Sequence, residues 1–295
     1  MHILRNPKWI DQYLFKYDSY RDISYEIINE INKKLAASKK EPPIISVVIP
    51  AYNEEFNILS CIASIAANEC DVPFEIIVVD NNSTDNTQKL LEKLEVRYYF
   101  ESKVGPGAAR QLGQEKALGK YILTADGDCI YPPLWVQIMY KALIKKNTTC
   151  VYGRYSFIGT SQTPRWQLFV YEKLKDILSE IRHIKRPHLN SLGMSMGYPK
   201  ALGLEIGFDT RNIILEDGTI SFVRGEDGRL CFDLGQKGKV KQVRDAKARL
   251  WTFQRTLSKD GNLWNSLRIR LKKESRKFLS YLKSHPPHDT KQSIN

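Results

Sequence analysis

No apolar run in the chain approaches the about 18 residues that a membrane-crossing helix needs, so a membrane-spanning protein is not expected. Met1 is followed by His2-Ile3-Leu4-Arg5-Asn6-Pro7 rather than by a charged segment leading into an apolar core, which argues against a secretory leader and for the cytoplasm. The cysteines, Cys61, Cys70, Cys129, Cys150 and Cys231, lack C-x-x-C spacing, and their odd number cannot pair completely. Reduced, mostly buried thiols are expected. No G-x-G-x-x-G follows the first strand-like run and no G-x-x-x-x-G-K-[ST] occurs anywhere, so a dinucleotide or P-loop cradle is a poor fit. Internal repeats are absent, and only the segment after residue 285 has the composition of a disordered tail.

What remains is an ordinary folded composition, 42% hydrophobic and 26% charged over 295 residues, enough for one large domain or two modest ones. The net charge of +12 is uneven: residues 1–235 carry 29 basic and 29 acidic residues, and residues 236–295 carry 16 against 4. The basic excess is therefore local to the C-terminal part.

Residues 9–38 repeat apolar side chains at near-helical spacing, and Lys39-Lys40-Glu41-Pro42-Pro43 reads as a linker closing an N-terminal helical extension over 1–43. From residue 44 the chain alternates. The short runs "IISVVIP", "FEIIVVD", "VRYYF" and "YILTA" are separated by helical stretches, which predicts βαβ units, a mostly parallel central sheet and flanking helices. After residue 140 the rhythm loosens: "TCVYGRYSF" reads as a strand, 165–182 as a helix, and 190–209 as a Gly-rich segment around a short helix. A further helix is expected to begin near Glu226. This part is expected to run over 44–245, followed by a basic C-terminal region over 246–295.

In such sheets ligands bind beyond the carboxyl ends of the strands, where Asn53-Glu54, Asp80, Asp126 and Asp128 fall. Asp126-Gly127-Asp128 can be a polar loop. It can also place one carboxylate, with its neighbour, on a hard cation; with no His nearby, Mg²⁺ or Mn²⁺ completed by water and diphosphate fits better than zinc. Asp80, ahead of an Asx-rich turn in which Asp85 or Thr87 caps the next helix, can accept hydrogen bonds from a nucleobase. Arg110, in "GPGAARQLG", either offsets diphosphate charge or holds acidic loops in place. Glu226 and Asp227 lie at a helix start, where they can cap it, or where one of them can take a proton from an attacking hydroxyl.

Together "VVIPAYNEE", "IIVVDNNSTDNT", "GPGAARQLGQEKALGKYILTADGD", "LGMSMGYPKALGLEIGFD" and "GEDGRL" resemble the inverting family 2 glycosyltransferases of the GT-A fold, of the type that builds bacterial cell-surface polysaccharide. The resemblance covers about residues 44–235 and implies an α/β fold of the nucleotide-diphospho-sugar transferase type. It implies that Pro50, Ala51, Tyr52, Glu54 and Asp80 surround the base and ribose of a nucleotide-sugar, with Arg110 in the same crevice. Asp126 would lie near ribose and diphosphate, Asp128 would bind Mg²⁺ or Mn²⁺, Glu226 and Asp209 would serve the acceptor, and Asp227 would be the general base. The chain departs from the family in Asp80-Asn81-Asn82-Ser83, where Asp-Asp-Gly-Ser is common, and in Gly228-Arg229 after the Glu-Asp pair. The Gln-x-x-Arg-Trp signature of processive synthases is missing, which implies transfer of one sugar per encounter, with a UDP-sugar as default donor and a glycan or lipid-linked acceptor. Lys247, Arg249 and Arg255 are further candidates for phosphate contacts.

"LWNSLRIRLKKESRKFLSYLK" (263–283) predicts a basic amphipathic helix. It suits an anionic membrane surface on the cytoplasmic side, and equally packing on the domain or on a second copy of the chain. A nucleic-acid partner is not expected, because the acidic strand ends would repel phosphates. A sugar-phosphate nucleotidyltransferase would need a Gly-rich basic loop where "PAYNEE" stands; that activity, or an inactive scaffold of the same fold, is the alternative.

Overall fold

The structure, a computed structural model, describes residues 4–38, 42–214, 220–222 and 225–253. In chain order its elements are α1 (Lys8–Asp11), α2 (Tyr25–Ser38), β1 (Ile45–Ala51), α3 (Ile58–Ala66), β2 (Phe74–Asp80), α4 (Thr87–Leu91), β3 (Arg97–Phe100), α5 (Pro106–Lys116), β4 (Tyr121–Ala125), β5 (Cys129–Ile130) and α6 (Trp135–Leu143). They continue as β6 (Thr148–Tyr152), β7 (Tyr155–Phe157), α7 (Arg165–Lys185), β8 (Ser195–Pro199), α8 (Lys200–Ile206), β9 (Asn212–Ile214), β10 (Ile220–Phe222), α9 (Glu226–Lys237), β11 (Lys239–Gln242) and β12 (Leu250–Thr252).

The β-branched runs become strands because both of their faces are covered. β2 is buried throughout and β1 at every position but Pro50, as a parallel sheet between helix layers requires. Every residue of α3 is buried. Among the described residues the main sheet has seven strands in the order β11-β6-β8-β4-β1-β2-β3. All neighbours are parallel except β8, which runs antiparallel to both β4 and β6. This is the mostly parallel α/β sheet expected. Ala51 of β1 faces Asp80 of β2 in the register, so the loops leaving β1 and β2 emerge side by side.

Three segments differ from the sequence expectation. The Gly-rich stretch supplies a central strand, β8, because Gly197 leaves room for the Leu123 and Val151 side chains of the strands on either side. "TCVYGRYSF" divides into β6 and β7, and the two join different sheets. Residues 9–38, read as helical throughout, form α1, a 3₁₀ turn at Tyr20–Asp22 and α2, with irregular chain between them. The connecting chain is tied to the domain instead: the Tyr17 hydroxyl donates to the Glu55 carbonyl at 2.5 Å, and the Tyr20 N–H donates to Glu55 Oε1 at 3.1 Å.

Ile10, Tyr13, Ile28, Ile31 and Leu35 share one buried core with β1, β2 and α3. At the other end β12 pairs antiparallel with β5 and parallel with β7, so the chain up to Phe253 is woven beside the exit of β4. The basic amphipathic segment 263–283 lies outside the described residues. All the cysteines are free, four of them buried and Cys70 partly so, as expected. Among the described residues no helix is long and apolar enough to cross a membrane.

Candidate active site

The loops after β1 and β2 are stitched together by side chains that the sequence shows only as a polar run. Asn53 adopts a left-handed conformation (φ 53°), and its Oδ1 accepts from the Thr84 N–H at 2.7 Å. The Glu54 N–H donates to Thr87 Oγ1 at 2.9 Å, and the Glu55 N–H donates to Asp85 Oδ2 at 3.1 Å. Asp85 Oδ1 also accepts from the Thr87 N–H at 2.9 Å, so the helix-capping role expected of this loop is real and coexists with inter-loop ties. Asn81, the departure from the family pattern, has a structural task. It donates to the carbonyls of Glu101 and Lys103 and accepts from the Gly105 N–H, which fixes the loop leading into α5.

This frame leaves Tyr52 exposed at the rim, Pro50 partly exposed, and Ala51, Glu54 and Asp80 buried. Neither Asp80 carboxylate oxygen meets a donor in full hydrogen-bond geometry among the described residues, although the Ser83 side chain and N–H approach closely enough to favour its charged form. Burial pushes the Asp80 carboxyl above its ordinary range, with nearby Ser83 groups opposing in part and Asp85 adding to it. A buried acceptor without a well-aligned donor is a costly arrangement in the free protein and suits a ligand N–H or O–H.

Arg110 of α5 connects two distant segments. Its Nη2 donates to Asp126 Oδ1 at 2.7 Å and its Nη1 to Glu226 Oε1 at 2.5 Å. Burial alone would lower its pKa, but the carboxylates of Asp126, Glu226 and Asp227 outweigh that and raise it. The fit is tight: a Cβ at Gly193 would collide with the guanidinium, and one at Gly107 would collide with the carbonyl of Asp209. Asp227, next to Glu226 at the start of α9, accepts from the N–H of Gly193 and from that of Gly228, each at 2.7 Å.

Asp126 starts the loop after β4, where its N–H donates to the Tyr131 hydroxyl at 2.8 Å; that hydroxyl donates to the Met194 carbonyl at 2.9 Å. The Asp126 carboxyl is pushed up to about 6, by burial first; Arg110 opposes this, and Asp128 and Asp227 add to it. Glu54 closes the set, since a Cβ at Gly127 would lie 3.3 Å from its Cγ. Negative charge thus exceeds what one buried guanidinium balances, and the surplus suits a divalent cation at Asp128 and Asp126. Among the described residues no three His, Cys, Asp or Glu side chains form a cage. A cation here would draw most ligands from water and bound phosphate, as Mg²⁺ and Mn²⁺ do. Cys61 and Cys129, beside this loop, are held protonated by burial and by the neighbouring carboxylates, so they line it as neutral groups.

Other candidates are placed differently. The Asp209 carboxylate is engaged by Arg211, with Nε at 2.9 Å from Oδ1 and Nη2 at 2.6 Å from Oδ2, and by Arg229 at 3.6 Å. The Arg211 hydrogen bond above all holds it below the usual carboxylate range. Arg249 is paired with Asp176 at 2.8 Å. Lys247 is exposed, and Arg255 lies outside the described residues. Sequence reasoning missed Gly193 and Tyr131, which position the acidic groups without carrying chemistry themselves. No local pattern marks them.

The profile of glycosyl transferase family 2 matches residues 46–202, more than half of the chain. Glycosyltransferase AglE of Haloferax volcanii is 27% identical over 148 residues, which cover 47% of this chain and 49% of that protein. The crystal structure of S. aureus TarS 1-349 in complex with UDP superimposes with a TM-score of 0.51 at 20% identity, over 71% of this chain and 60% of that one. The mannosyltransferase PcManGT from Pyrobaculum calidifontis, in complex with GDP-Man and Mn²⁺, gives a TM-score of 0.52 at 17% identity, over 77% and 64%. The chain therefore spans about half the length of the curated relative and less than two thirds of each structure. It belongs to glycosyl transferase family 2 and has the GT-A fold.

Proposed function

We propose that the chain is a metal-dependent inverting glycosyltransferase that moves one sugar from a nucleoside-diphosphate sugar to a hydroxyl of a glycan or lipid-linked acceptor. The observation that carries the reading is the pairing of the Arg110 guanidinium with Asp126 and Glu226 at once. It joins the loop after β4 to the start of α9, which supports a reading in which Asp126 serves the donor and Glu226 the acceptor on either side of one guanidinium.

Asp80 receives the base, beside the frame formed by Pro50, Ala51, Tyr52 and Glu54. UDP is the default nucleotide, supported by the UDP in TarS, and the GDP-Man in PcManGT keeps GDP-sugars in the panel. Asp128, with Asp126, would hold Mg²⁺ or Mn²⁺, which when bound supplies Lewis-acid stabilisation of the diphosphate leaving group. Arg110 keeps Asp126 in place. Glu226 and Asp209 border the acceptor.

Asp227 accepts two backbone N–H bonds that fix its orientation, and its remaining lone pairs are open to a hydroxyl. It takes the acceptor proton as the acceptor oxygen attacks C1 from the face opposite the diphosphate. The bond from C1 to the phosphate oxygen breaks, the nucleoside diphosphate leaves with the electron pair, and an α-linked donor gives a β-linked product. The reaction would take place in the cytoplasm, with the basic segment 263–283 serving either contact with an anionic membrane surface or packing on protein. Nucleoside diphosphate release by purified protein, from a panel of nucleotide-sugars with Mn²⁺ or Mg²⁺, tests the reading. Metal-dependent release from one donor supports it; neither release nor nucleotide binding by calorimetry overturns it.

A further inference from the structure

An ordinary surface helix turns its apolar stripe to the core and its charges to water; α7 buries only Leu168 and Tyr171 of its apolar residues, against Phe157, and shares that inner side with charged groups. Its carboxylates point inward and are paired. Glu172, fully buried, accepts from Arg165 Nη1 at 3.0 Å and Nη2 at 2.6 Å, as well as from Ser156 Oγ at 2.9 Å. Asp176 accepts from Arg249 Nη1 at 2.8 Å and Nη2 at 3.1 Å. Glu180, at the border, meets Arg244 Nη2 at 2.6 Å and also Arg154. The opposite side carries Trp166, Val170, Leu174, Ile177 and Ile184, which are 41% to 73% exposed. At 100° per residue these positions fall within an arc of about 80°. An apolar stripe along a helix of 21 residues, turned to solvent, marks a surface that meets something apolar.

We infer that the outward face of α7 is a membrane-docking surface that lies in the interface of an anionic lipid bilayer. Charge selects this occupant. The acidic side chains of α7 are consumed in ion pairs, whereas Lys173 and Lys185, exposed beside the stripe, face outward. The described chain ends at Phe253, two residues past Trp251, whose ring lies 4.8 Å from the guanidinium of Arg165 at the start of α7. The remaining 254–295 hold ten basic residues against three acidic ones, a charge that complements the same anionic surface. Apolar side chains enter the acyl boundary while Lys173 and Lys185 meet anionic headgroups. A second copy of the chain would bring lysine against lysine across the same stripe. The inference places membrane contact on the folded domain itself and does not depend on the sugar-transfer chemistry.

The test is flotation of the full chain with vesicles of phosphatidylglycerol and phosphatidylcholine in equal parts. Ile177→Gln combined with Ile184→Gln should lower partitioning about tenfold, from the apolar area withheld from the bilayer. The thermal midpoint and the mass by light scattering should stay unchanged, because both side chains are exposed. Leu174→Gln on the same face should act in the same direction and guards against a folding defect in the double variant. Lys272→Glu with Lys273→Glu reads the tail separately, so failure of the tail contact is distinguishable from failure of the α7 surface. Unchanged partitioning of the α7 variants overturns the inference, whatever the tail variant does. So does a wild-type dimer that the α7 substitutions convert to a monomer.

Discussion

Gly193 donates its backbone N–H to Asp227 Oδ2 at 2.7 Å. The same residue presses on Arg110, with no room for a Cβ against the guanidinium. One glycine therefore orients the proposed base and seats the arginine that joins the two acidic segments. Gly193→Ala is expected to destabilise the fold by about 1–3 kcal/mol through overpacking. Turnover should fall more than donor affinity, because Asp80 and its loop are not displaced. Urea unfolding, together with donor titration and turnover of the same variant, checks both parts.

Removing the shared cation should cost more than crowding it. Arg110→Met leaves Asp126 and Glu226 without their partner, and losing one member of a buried ionic group typically costs about 3–5 kcal/mol. Arg110→Lys keeps the charge but not the fork that reaches both carboxylates, so its stability should lie between wild type and Arg110→Met. Denaturant midpoints of the two variants give the order.

Asp80 separates stability from binding. Its carboxylate is buried, with only marginal contacts from Ser83 to favour its charge. Asp80→Asn removes a disfavoured charge and should leave the melting temperature unchanged or raise it. The same change should weaken UDP binding about tenfold or more, as loss of a charged hydrogen-bond acceptor does. Calorimetry and thermal unfolding on one sample test the opposite signs.

His183 gives the fold a pH dependence away from the crevice. Its Nδ1 lies 2.7 Å from the Tyr152 hydroxyl oxygen. Burial first, then Arg244, holds the imidazole pKa below its ordinary value; Glu180 opposes this and Arg154 adds to it. The unfolded chain therefore binds the proton more readily than the folded one. Its contribution to stability is intact above the unfolded value of about 6.5 and is lost as pH falls toward the folded value. His183→Gln should reduce the drop in stability between about pH 7.5 and 5.5, measured by urea unfolding.

The sequence reveals those parts of the fold that depend on local chemistry. β1, β2 and β4 announce themselves through β-branched runs, and the polar residues that end them mark the edge of the proposed site. β8 does not, because its contribution is the space left by Gly197 between two neighbours. Asp126, Asp128, Glu226 and Asp227 stand out as acidic pairs at element ends. The bridge that brings the two pairs together spans 116 residues between Arg110 and Glu226, and no spacing rule reaches that far. For α7 periodicity predicts the helix but not which side faces the core: the arginines that pair its carboxylates are its own Arg165, then Arg244 and Arg249 between β11 and β12, and Arg154 in the turn after β6.

The most direct test of the account compares nucleoside diphosphate release and sugar transfer by wild type, Asp128→Ala and Asp227→Asn, each with Mn²⁺ or Mg²⁺ and the donor selected from the panel. The account predicts that Asp128→Ala loses both donor hydrolysis and transfer. Asp227→Asn should keep donor binding but lose acceptor-dependent transfer by about 10²-fold or more, the scale of a missing general base. Transfer by Asp227→Asn at the wild-type rate, or metal-independent release by Asp128→Ala at the wild-type rate, would contradict it.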